Sequence, residues 1–276
     1  MSEPTIDLSA QLRALNSLTK YPSIPTYHTI NHTANGQTLC EPCMTINGPV
    51  TATEKIDGTN GRIVLVPGAS KKDRWSYLIG SREEFVYAKG DLLGDPQQGI
   101  WPALKPIADS MVEYRAPERL IVAFVEVYGG KINGAREYTT TGAVGVRLFD
   151  VASIHDWQAI LGWPLDRISS WREHGGQRFA DDASREAFAD HCGFQLVPQV
   201  GRWEMFGWTT ILDAYVILKE TLKTSKVTLD AGARGNPEGM VIRTANRSQI
   251  AKLRFEDYER TLEVGRFACQ RKKGQL

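Results

Sequence analysis

The chain has 276 residues, a formal net charge of +1 at pH 7, and a composition that is 42% hydrophobic and 24% charged. These values are typical of a globular protein that can bury a core, and they exclude a globally basic nucleic-acid binder. No apolar run approaches the ~20 residues that a membrane-spanning helix needs, so we expect no membrane partner. The N-terminus lacks the basic-then-apolar layout of a secretory signal, which predicts a cytoplasmic protein whose four cysteines are free thiols.

The first half of the chain begins with a predicted amphipathic helix over residues 8–19, where leucines recur at helical spacing. The stretch 22–50 is rich in Pro, Gly, Thr and Asn, which indicates irregular chain or short edge strands. Runs of β-branched and aromatic residues predict strands at residues 62–66, 75–80, 120–128, 142–150, 195–200, 239–244 and 250–255.

Further helices are predicted at residues 103–115, 153–161, 181–191, 209–223 and 256–264. The stretch 162–180 contains several Gly and Pro residues and is interpreted as a connector or an inserted loop. Strands and helices do not alternate regularly along the chain. The pattern therefore favours an α+β fold with mainly antiparallel sheets over a doubly wound parallel sheet.

Residues 54–62 read Glu-Lys-Ile-Asp-Gly-Thr-Asn-Gly-Arg and form the segment best suited to covalent chemistry. A lysine amine is a poor nucleophile while it is protonated, so covalent use of Lys55 requires surroundings that favour the neutral amine. Asp57-Gly58 suits a tight turn at which the backbone comes close to a ligand. The alternative is a surface hairpin turn with Lys55 merely solvated.

Two predicted strands carry an acidic residue in an apolar setting. Glu126 lies in the run Phe-Val-Glu-Val-Tyr, where a buried carboxylate needs a partner unless the strand turns it toward solvent. Phe149-Asp150 places a ring beside a carboxylate, and on its own it is typical of a core phenylalanine at a strand end.

Two later strands carry cations. Glu238 begins a strand that includes Arg243, and Lys252 and Arg254 alternate with period two. Two cations on one face of a strand suit a phosphate, although plain surface is the alternative interpretation.

The order of these segments is itself informative. Lys55-Ile56-Asp57-Gly58, Ser81-Arg82, Glu126, Phe149-Asp150, Glu238-Gly239 and Lys252-x-Arg254 match an ordered series of motifs. The chain thereby resembles the covalent nucleotidyltransferases, which comprise ATP-dependent RNA ligases, DNA ligases and messenger-RNA capping guanylyltransferases. The resemblance runs from about residue 20 to about residue 260.

Within that superfamily the chain looks most like the RNA ligase 2 family. Asn60 stands where DNA ligases and capping enzymes typically have Arg, and residues 20–24 resemble an RNA-ligase leader. The chain departs from the family pattern at Val125, where a glycine often precedes the glutamate, and at Arg254, which replaces a second lysine. Because Arg cannot deprotonate and has a different geometry, the role of Arg254 in activating Lys55 is open.

The resemblance implies an α+β nucleotidyltransferase fold, the ATP-grasp-like ligase adenylation fold, with mainly antiparallel sheets and flanking helices. We expect a single adenylyltransferase domain over residues 1–276. Within it, residues 1–50 form an N-terminal helix and leader, residues 51–260 a motif-bearing core, and residues 261–276 a short tail without an OB domain.

The resemblance also implies an ATP-dependent RNA ligase that works in three steps with Mg²⁺ or Mn²⁺. Lys55 takes AMP from ATP, AMP passes to an RNA 5′-phosphate, and a 3′-hydroxyl displaces AMP. The residues implied as catalytic are Lys55, Glu126, Glu238, Lys252 and Arg254, with Glu238 as the metal ligand. The residues implied to bind nucleotide are Glu54, Ile56, Asn60, Arg82, Phe149, Asp150, Lys223 and Arg243.

Individual roles follow from the same resemblance. Lys252 and Arg254 would contact the α-phosphate and help Lys55 lose its proton, and Arg243 would bind phosphate too. Glu126 and Arg82 would bind the ribose, Phe149 would stack on adenine, and Glu54 would contact the base edge. Asn60 would act in the sealing step, and Asp150 would be structural or assist catalysis. Lys223 would make an extra phosphate contact, with Lys219 and Lys226 as alternatives.

Other interpretations remain open. The chain could be an ATP-dependent DNA ligase, a GTP-dependent capping guanylyltransferase, or a non-catalytic protein that binds nucleic-acid ends. His28, His32, Cys40 and Cys43 have zinc-ligand chemistry, but their order is not that of a common finger and we expect no zinc. The sequence does not decide whether the RNA partner is a nicked duplex, a single strand or an RNA/DNA hybrid, what the oligomeric state is, or whether a separate protein grips the substrate.

Overall fold

A computed structural model describes residues 8–33, 36–67, 76–88, 91–94, 99–111, 114, 118–204 and 207–273. The chain divides into two compact units. We call them the large-sheet unit (Met1–Ser23, Gly58–Ala135 and Thr141–Leu196) and the small-sheet unit (Ile24–Asp57, Arg136–Thr140 and Val197–Leu276). The expected single domain over residues 1–276 stays a prediction, because compact units within one chain need not fold separately.

Helices and strands are interleaved along the chain. In order they are α1 (Leu8–Thr19), β1 (His28–Thr33), β2 (Gly36–Cys43), β3 (Val50–Lys55), β4 (Thr59–Leu65), β5 (Tyr77–Ser81), β6 (Phe85–Ala88), β7 (Asp91–Leu92), α2 (Ile100–Met111), β8 (Leu120–Gly129), a short 3-10 helix (Ala135–Glu137), β9 (Val144–Ile154), α3 (Trp157–Leu161), α4 (Leu165–Glu173), β10 (Arg178–Phe179), α5 (Asp182–Cys192), β11 (Gln199–Trp203), α6 (Ile211–Thr221), β12 (Gly239–Thr244), β13 (Ile250–Arg254) and α7 (Phe255–Lys273).

The large-sheet unit is built on an antiparallel sheet with the strand order β10-β9-β8-β4-β5-β6-β7 in the described residues. Side chains of α2 and α5 pack on one face of this sheet, around Ile63 and Val125. Side chains of α1, α3 and α4 pack on the other face, around Val64 and Phe124. Because both faces are covered, β8 and the last three residues of β4 are almost continuously apolar rather than alternating.

The small-sheet unit contains an antiparallel sheet with the strand order β11-β3-β12-β13, together with the β1-β2 hairpin. Its core includes Ala52, Met240 and Leu253 from the sheet, Leu218 from α6 and Tyr258 from α7. Only one face of this sheet carries that core. Strand alternation therefore sends the intervening side chains of β3, β12 and β13 to the opposite face.

Several predictions from the sequence are confirmed. The helix over residues 8–19 is α1, and the mixed helix and strand content with antiparallel sheets is present. The predicted strands at 239–244 and 250–255 correspond to β12 and β13. Parts of two predicted elements, residue 75 of strand 75–80 and residues 112, 113 and 115 of helix 103–115, lie outside the described residues.

Other predictions are wrong in detail. The stretch 162–180 is not a simple connector, because it contains α4, whose buried face includes Ile168 and Arg172. Pro164 suggested a loop, yet it lies at the N-terminal boundary of the helix, where proline is tolerated. The strand β3 had no recognised signal, and β9 continues to Ile154 through the predicted start of a helix. Where the structure describes the chain, no helix is both long and apolar enough to cross a membrane.

Candidate active site

Lys55 is the last residue of β3, and its ammonium group is held by a carboxylate. Lys55 Nζ lies 2.6 Å from Glu238 Oε2, and the two side chains are only 28% and 21% exposed. Lys55 pairs in the ladder with Gly239, which directly follows Glu238 and begins β12. The alternative of a solvated lysine in a surface hairpin is therefore excluded.

Gly239 allows Glu238 to reach this position. A Cβ atom at Gly239 would lie 2.0 Å from the Leu253 carbonyl oxygen and 2.9 Å from Arg254 Cα. Any side chain would thus force β12 away from β13, because real Cβ atoms do not approach backbone atoms so closely. The glycine keeps the two strands in contact and Glu238 beside Lys55.

Four cationic residues share one face of the small sheet. In the ladders, Gly239 is opposite both Lys55 and Arg254, Val241 is opposite Lys252, and Arg243 lies two positions further along β12. Directly opposite residues project to the same face, and residues two apart on one strand do so as well. The face opposite the apolar core therefore carries Lys55, Arg243, Lys252 and Arg254, as the sequence predicted for the last two.

The two cations of β13 differ in their surroundings. Arg254 donates to both carboxylate oxygens of Asp257, at 2.8 Å each, and this hydrogen bonding raises the Arg254 pKa above its ordinary value. Asp257 is buried and also accepts a hydrogen bond from Arg260 at 2.7 Å. Through this two-point contact Arg254 links β13 to α7. Lys252 is half-buried on the same face of the sheet.

Glu238 has a perturbed acidity. Its pKa is raised by burial, which disfavours the carboxylate, while the charge of Lys55 acts in the opposite direction. Among the described residues, no group of three or more His, Cys, Asp or Glu side chains is arranged to hold a metal ion. A cation bound at Glu238 would consequently take most of its ligands from water or phosphate, as Mg²⁺ commonly does.

Glu54 occupies the opposite, core-facing side of β3. Its side chain is 2% exposed, and it accepts hydrogen bonds from Ser225 Oγ at 2.6 Å and from the Lys226 amide at 2.8 Å. Both carboxylate oxygens thus have protein partners in the loop that precedes Glu238. Lys223 is exposed in the same loop, and Ile56 is buried directly after Lys55.

The backbone after Lys55 is held by a tyrosine that the sequence analysis missed. The Asp57 amide donates to Tyr138 Oη at 2.6 Å, and Tyr138 is fully buried. Burial is the main cause that raises the Tyr138 pKa, and the carboxylates of Glu54, Asp57 and Glu238 add to it, so the phenol remains neutral. No short motif marks Tyr138, because the contact joins residues 81 positions apart.

In the large-sheet unit, Asn60 and Glu126 lie directly opposite each other on β4 and β8. A Cβ atom at Gly58 would be 2.5 Å from the Val127 carbonyl oxygen and 2.9 Å from Glu126 Cγ, so this approach also requires glycine. The side-chain oxygen of Asn60 is buried without a hydrogen-bond partner among the described residues. A buried oxygen of this kind can still accept a hydrogen bond, and a donor group of a ligand could supply it.

Phe149 and Asp150 lie where β9 bulges against β8. The Phe149 ring is half-buried, and its centroid is 5.0 Å from that of Tyr21, edge to face. Asp150 is buried and accepts a hydrogen bond from Tyr21 Oη at 2.8 Å. Tyr21 therefore fixes both residues, which agrees with a structural role for Asp150.

Arg82 lies in the turn after β5 and is 76% exposed, 3.7 Å from Glu83. The carbonyl groups of this turn are held by Arg62, a second residue that the sequence analysis missed. The Arg62 guanidinium donates to the Ser81 carbonyl and to Asn16 Oδ1. Burial, followed by the nearby charge of Arg172, lowers the Arg62 pKa to about 9. The available signal was a charged residue at the start of an apolar strand.

The possible zinc ligands do not form a cluster in the described residues. His28 is buried, and its Nδ1 lies 2.8 Å from Tyr258 Oη. His32 is exposed, and Cys40 and Cys43 are free thiols on β2. Burial lowers the His28 pKa, which suits a neutral core histidine.

Comparisons with known proteins point in one direction. No curated protein sequence matches the chain. A structure of the Naegleria gruberi RNA ligase with ATP and Mn is similar with a TM-score of 0.51 and 12% identity, covering 93% of this chain and 63% of that chain. A structure of the same ligase with AMP and Mn gives a TM-score of 0.50 and 12% identity, covering 86% of this chain and 62% of that chain.

A third structure of that ligase, again with ATP and Mn, gives a TM-score of 0.50 over 77% of this chain, and this chain covers only 52% of it. The chain thus spans about half to two thirds of the length of these structures, and at such identities the likeness establishes only that the fold is shared. A family model described as RNA ligase matches residues 48–255, a range that includes every motif from Lys55 to Arg254. The chain therefore belongs to the RNA ligase family.

Proposed function

We propose that the protein is an ATP-dependent RNA ligase that joins RNA 5′-phosphate and 3′-hydroxyl ends through lysyl-AMP and RNA-adenylate intermediates. The observation that carries this proposal is the placement of Lys55 Nζ, 2.6 Å from Glu238, on the sheet face that also bears Arg243, Lys252 and Arg254. Membership of the RNA ligase family supports it. The Naegleria gruberi RNA ligase contains ATP or AMP with Mn in its structures, which supports the choice of nucleotide and metal.

In the first step, Lys55 Nζ attacks the α-phosphorus of ATP. A nitrogen–phosphorus bond forms, the bond to pyrophosphate breaks, and pyrophosphate leaves. The amine must first lose a proton, and its ion pair with Glu238 must separate so that Nζ can reach the phosphorus. Lys252 and Arg254 are proposed to contact the α-phosphate and to neutralise charge that develops on it, with Arg243, further along β12, as a second phosphate contact.

Glu238 is the proposed metal ligand. Its carboxylate offers the hard oxygen atoms that Mg²⁺ and Mn²⁺ prefer, and it lies beside the cationic face on which a phosphate would bind. A bound divalent ion would supply charge neutralisation at the reacting phosphates. Burial raises the Glu238 pKa. As the pH falls, Glu238 should therefore become protonated, and lose a bound metal ion, at a higher pH than an exposed carboxylate would.

In the later steps an RNA 5′-phosphate oxygen displaces Lys55 from AMP, and an RNA 3′-hydroxyl then displaces AMP. We assign Asn60 to sealing, which its unpartnered buried oxygen supports. Glu126 and Arg82 are proposed for the ribose, and Phe149 for adenine. Glu54 is proposed to contact the edge of the base. Its two hydrogen bonds to Ser225 and Lys226 support a structural role instead.

Sealing of labelled substrates tests this function. Purified protein is incubated with ATP or GTP, Mg²⁺ and one of three substrates, namely nicked duplex RNA, single-stranded RNA or an RNA/DNA hybrid. Lys55→Ala should abolish joining. Lys105→Ala is the matched control, because Lys105 Nζ is also 2.6 Å from a carboxylate, that of Asp109, and it should join as the wild type does.

Each alternative has its own outcome in the same assay. With nicked duplex DNA added as a further substrate, joining of DNA strands alone indicates a DNA ligase, and covalent transfer of GMP indicates a capping enzyme. Binding of ends without any covalent step indicates a non-catalytic protein. The preferred substrate among the three will define the RNA partner, and the cytoplasmic location remains part of the prediction.

A further inference from the structure

The connection between β8 and β9 makes an excursion into the small-sheet unit through Arg136–Thr140. We call these residues the excursion and residues 222–238 the pinning loop. Backbone hydrogen bonds join the two: Leu229 N to Tyr138 O at 2.7 Å, Arg234 N to Arg136 O at 3.1 Å, and Gly235 N to Glu137 O at 2.9 Å. The end of the short 3-10 helix and the residues after it are thus fixed by backbone hydrogen bonds to the pinning loop.

One carboxylate of the pinning loop adds to this attachment. Asp230 accepts hydrogen bonds from Thr139 Oγ1 at 2.6 Å, from Thr140 N at 2.8 Å and from Thr140 Oγ1 at 2.9 Å. The same loop holds Glu54 of β3 through Ser225 and Lys226. The pinning loop therefore ties the excursion and β3 to a common support.

Tyr138 is the excursion residue that contacts the nucleophile segment. The ladder between β3 and β12 ends at the pair formed by Lys55 and Gly239, so the following amides lack strand partners. Tyr138 Oη accepts a hydrogen bond from the Asp57 amide at 2.6 Å. Ile56, between Lys55 and Asp57, is buried. The direction of the chain as it leaves Lys55 is thus set by a fully buried phenol.

We propose that Tyr138 is a positioning residue for the nucleophile, because its hydroxyl oxygen fixes the Asp57 peptide and with it the orientation of Lys55. This inference rests on the proposed lysyl-AMP chemistry. A misplacement of about 1 Å in a reacting group can lower a rate by about 100-fold. Loss of this single hydrogen bond is expected to slow adenylylation by about 10-fold or more, with little change in ATP affinity, since Tyr138 need not contact ATP.

The test compares Tyr138→Phe with Tyr77→Phe in single-turnover formation of lysyl-AMP over a range of ATP concentrations. Tyr77 is a matched control because it is also fully buried, and its hydroxyl donates to Asp109 at 2.7 Å. Tyr77 pairs with Leu65, at the opposite end of β4 from Asn60. Both variants remove the hydrogen-bonded hydroxyl of a fully buried tyrosine, so both should lose similar thermal stability.

The inference predicts that the maximal rate falls at least 10-fold in Tyr138→Phe, while the ATP concentration at half-maximal rate changes less than 3-fold and Tyr77→Phe matches the wild type. Equal rates in Tyr138→Phe and the wild type would overturn the inference alone. Absence of lysyl-AMP in the wild type would overturn the proposed function and the inference with it. A fall of equal size in Tyr77→Phe would show a general stability effect and would also overturn it.

Asp230→Ala provides a second route if Tyr138→Phe does not fold. This variant removes the support of Thr139 and Thr140 but keeps the Tyr138 side chain. We expect a smaller fall of about 3-fold in the same maximal rate, because the excursion is loosened rather than disconnected. An unchanged rate in a folded Asp230→Ala protein would contradict the positioning role.

Discussion

Replacing Glu54 with alanine should strongly destabilise the small-sheet unit. The Glu54 carboxylate is 2% exposed and accepts hydrogen bonds from Ser225 Oγ at 2.6 Å and Lys226 N at 2.8 Å. Hydrogen bonds to a charged group contribute about 1.5–3 kcal/mol each. Glu54→Ala removes both bonds and leaves the buried Ser225 hydroxyl and the part-buried Lys226 amide without this acceptor, so we expect the free energy of unfolding to fall by about 3–5 kcal/mol. Glu54→Gln keeps the shape but not the charge and should cost about half as much.

Urea unfolding of Glu54→Ala, Ser225→Ala and the double variant measures this directly. The double-mutant cycle should give a coupling energy of about 1–2 kcal/mol between the two side chains. A loss below about 1 kcal/mol in Glu54→Ala, or a coupling energy near zero, would refute the reasoning from these contacts. The nucleotide preference of Glu54→Gln is a separate readout. If Glu54 also contacts the base edge, the ratio of ATP to GTP use will change in this variant.

Three further predictions concern other parts of the chain. Gly239→Ala should lower the melting temperature by several degrees, since its Cβ would lie 2.0 Å from the Leu253 carbonyl oxygen, and an unchanged melting curve would contradict this packing. Asp257→Asn should cost about 1–3 kcal/mol in urea unfolding because it weakens the two-point contact with Arg254, and a loss under about 0.5 kcal/mol would show that the contact is not maintained in solution. Burial raises the Cys192 pKa to about 11, so only about one thiol in a thousand is ionised at pH 8. Alkylation of Cys192 in the native protein should therefore be slow at pH 8 and should speed up about tenfold per pH unit. A rate independent of pH would exclude the raised pKa.

Periodicity in the sequence predicted the elements whose pattern is simple. The leucine spacing of α1 and the alternation of Lys252 and Arg254 on β13 both survive in the structure, because each element buries one face. Helix α4 is not predicted by the sequence, because Pro164 and the glycines after it are typical of a loop, yet in the structure they border the helix. Proline and glycine occur at the ends of helices as well as in loops, so their presence alone does not predict a loop.

The candidate site was predicted from ordered motifs, and its supporting contacts were not. The pairing of Lys55 with Glu238 joins residues 183 positions apart, and the bond between Asp57 and Tyr138 joins residues 81 apart. Such contacts arise from strand pairing and loop packing, for which no local pattern exists. The contact between Arg254 and Asp257 is different, because these two residues are only three positions apart in the sequence.

Lys55 is the proposed covalent nucleophile. Incubation with ATP and Mg²⁺, followed by proteolysis and mass spectrometry of the peptides, tests it most directly. If Lys55 is the nucleophile, AMP will be attached to it through an acid-labile bond, Lys55→Ala will carry no AMP, and added pyrophosphate will remove the label. The absence of any adduct, or AMP attached to another residue such as Lys252 while Lys55 stays unmodified, would show that Lys55 is not the nucleophile.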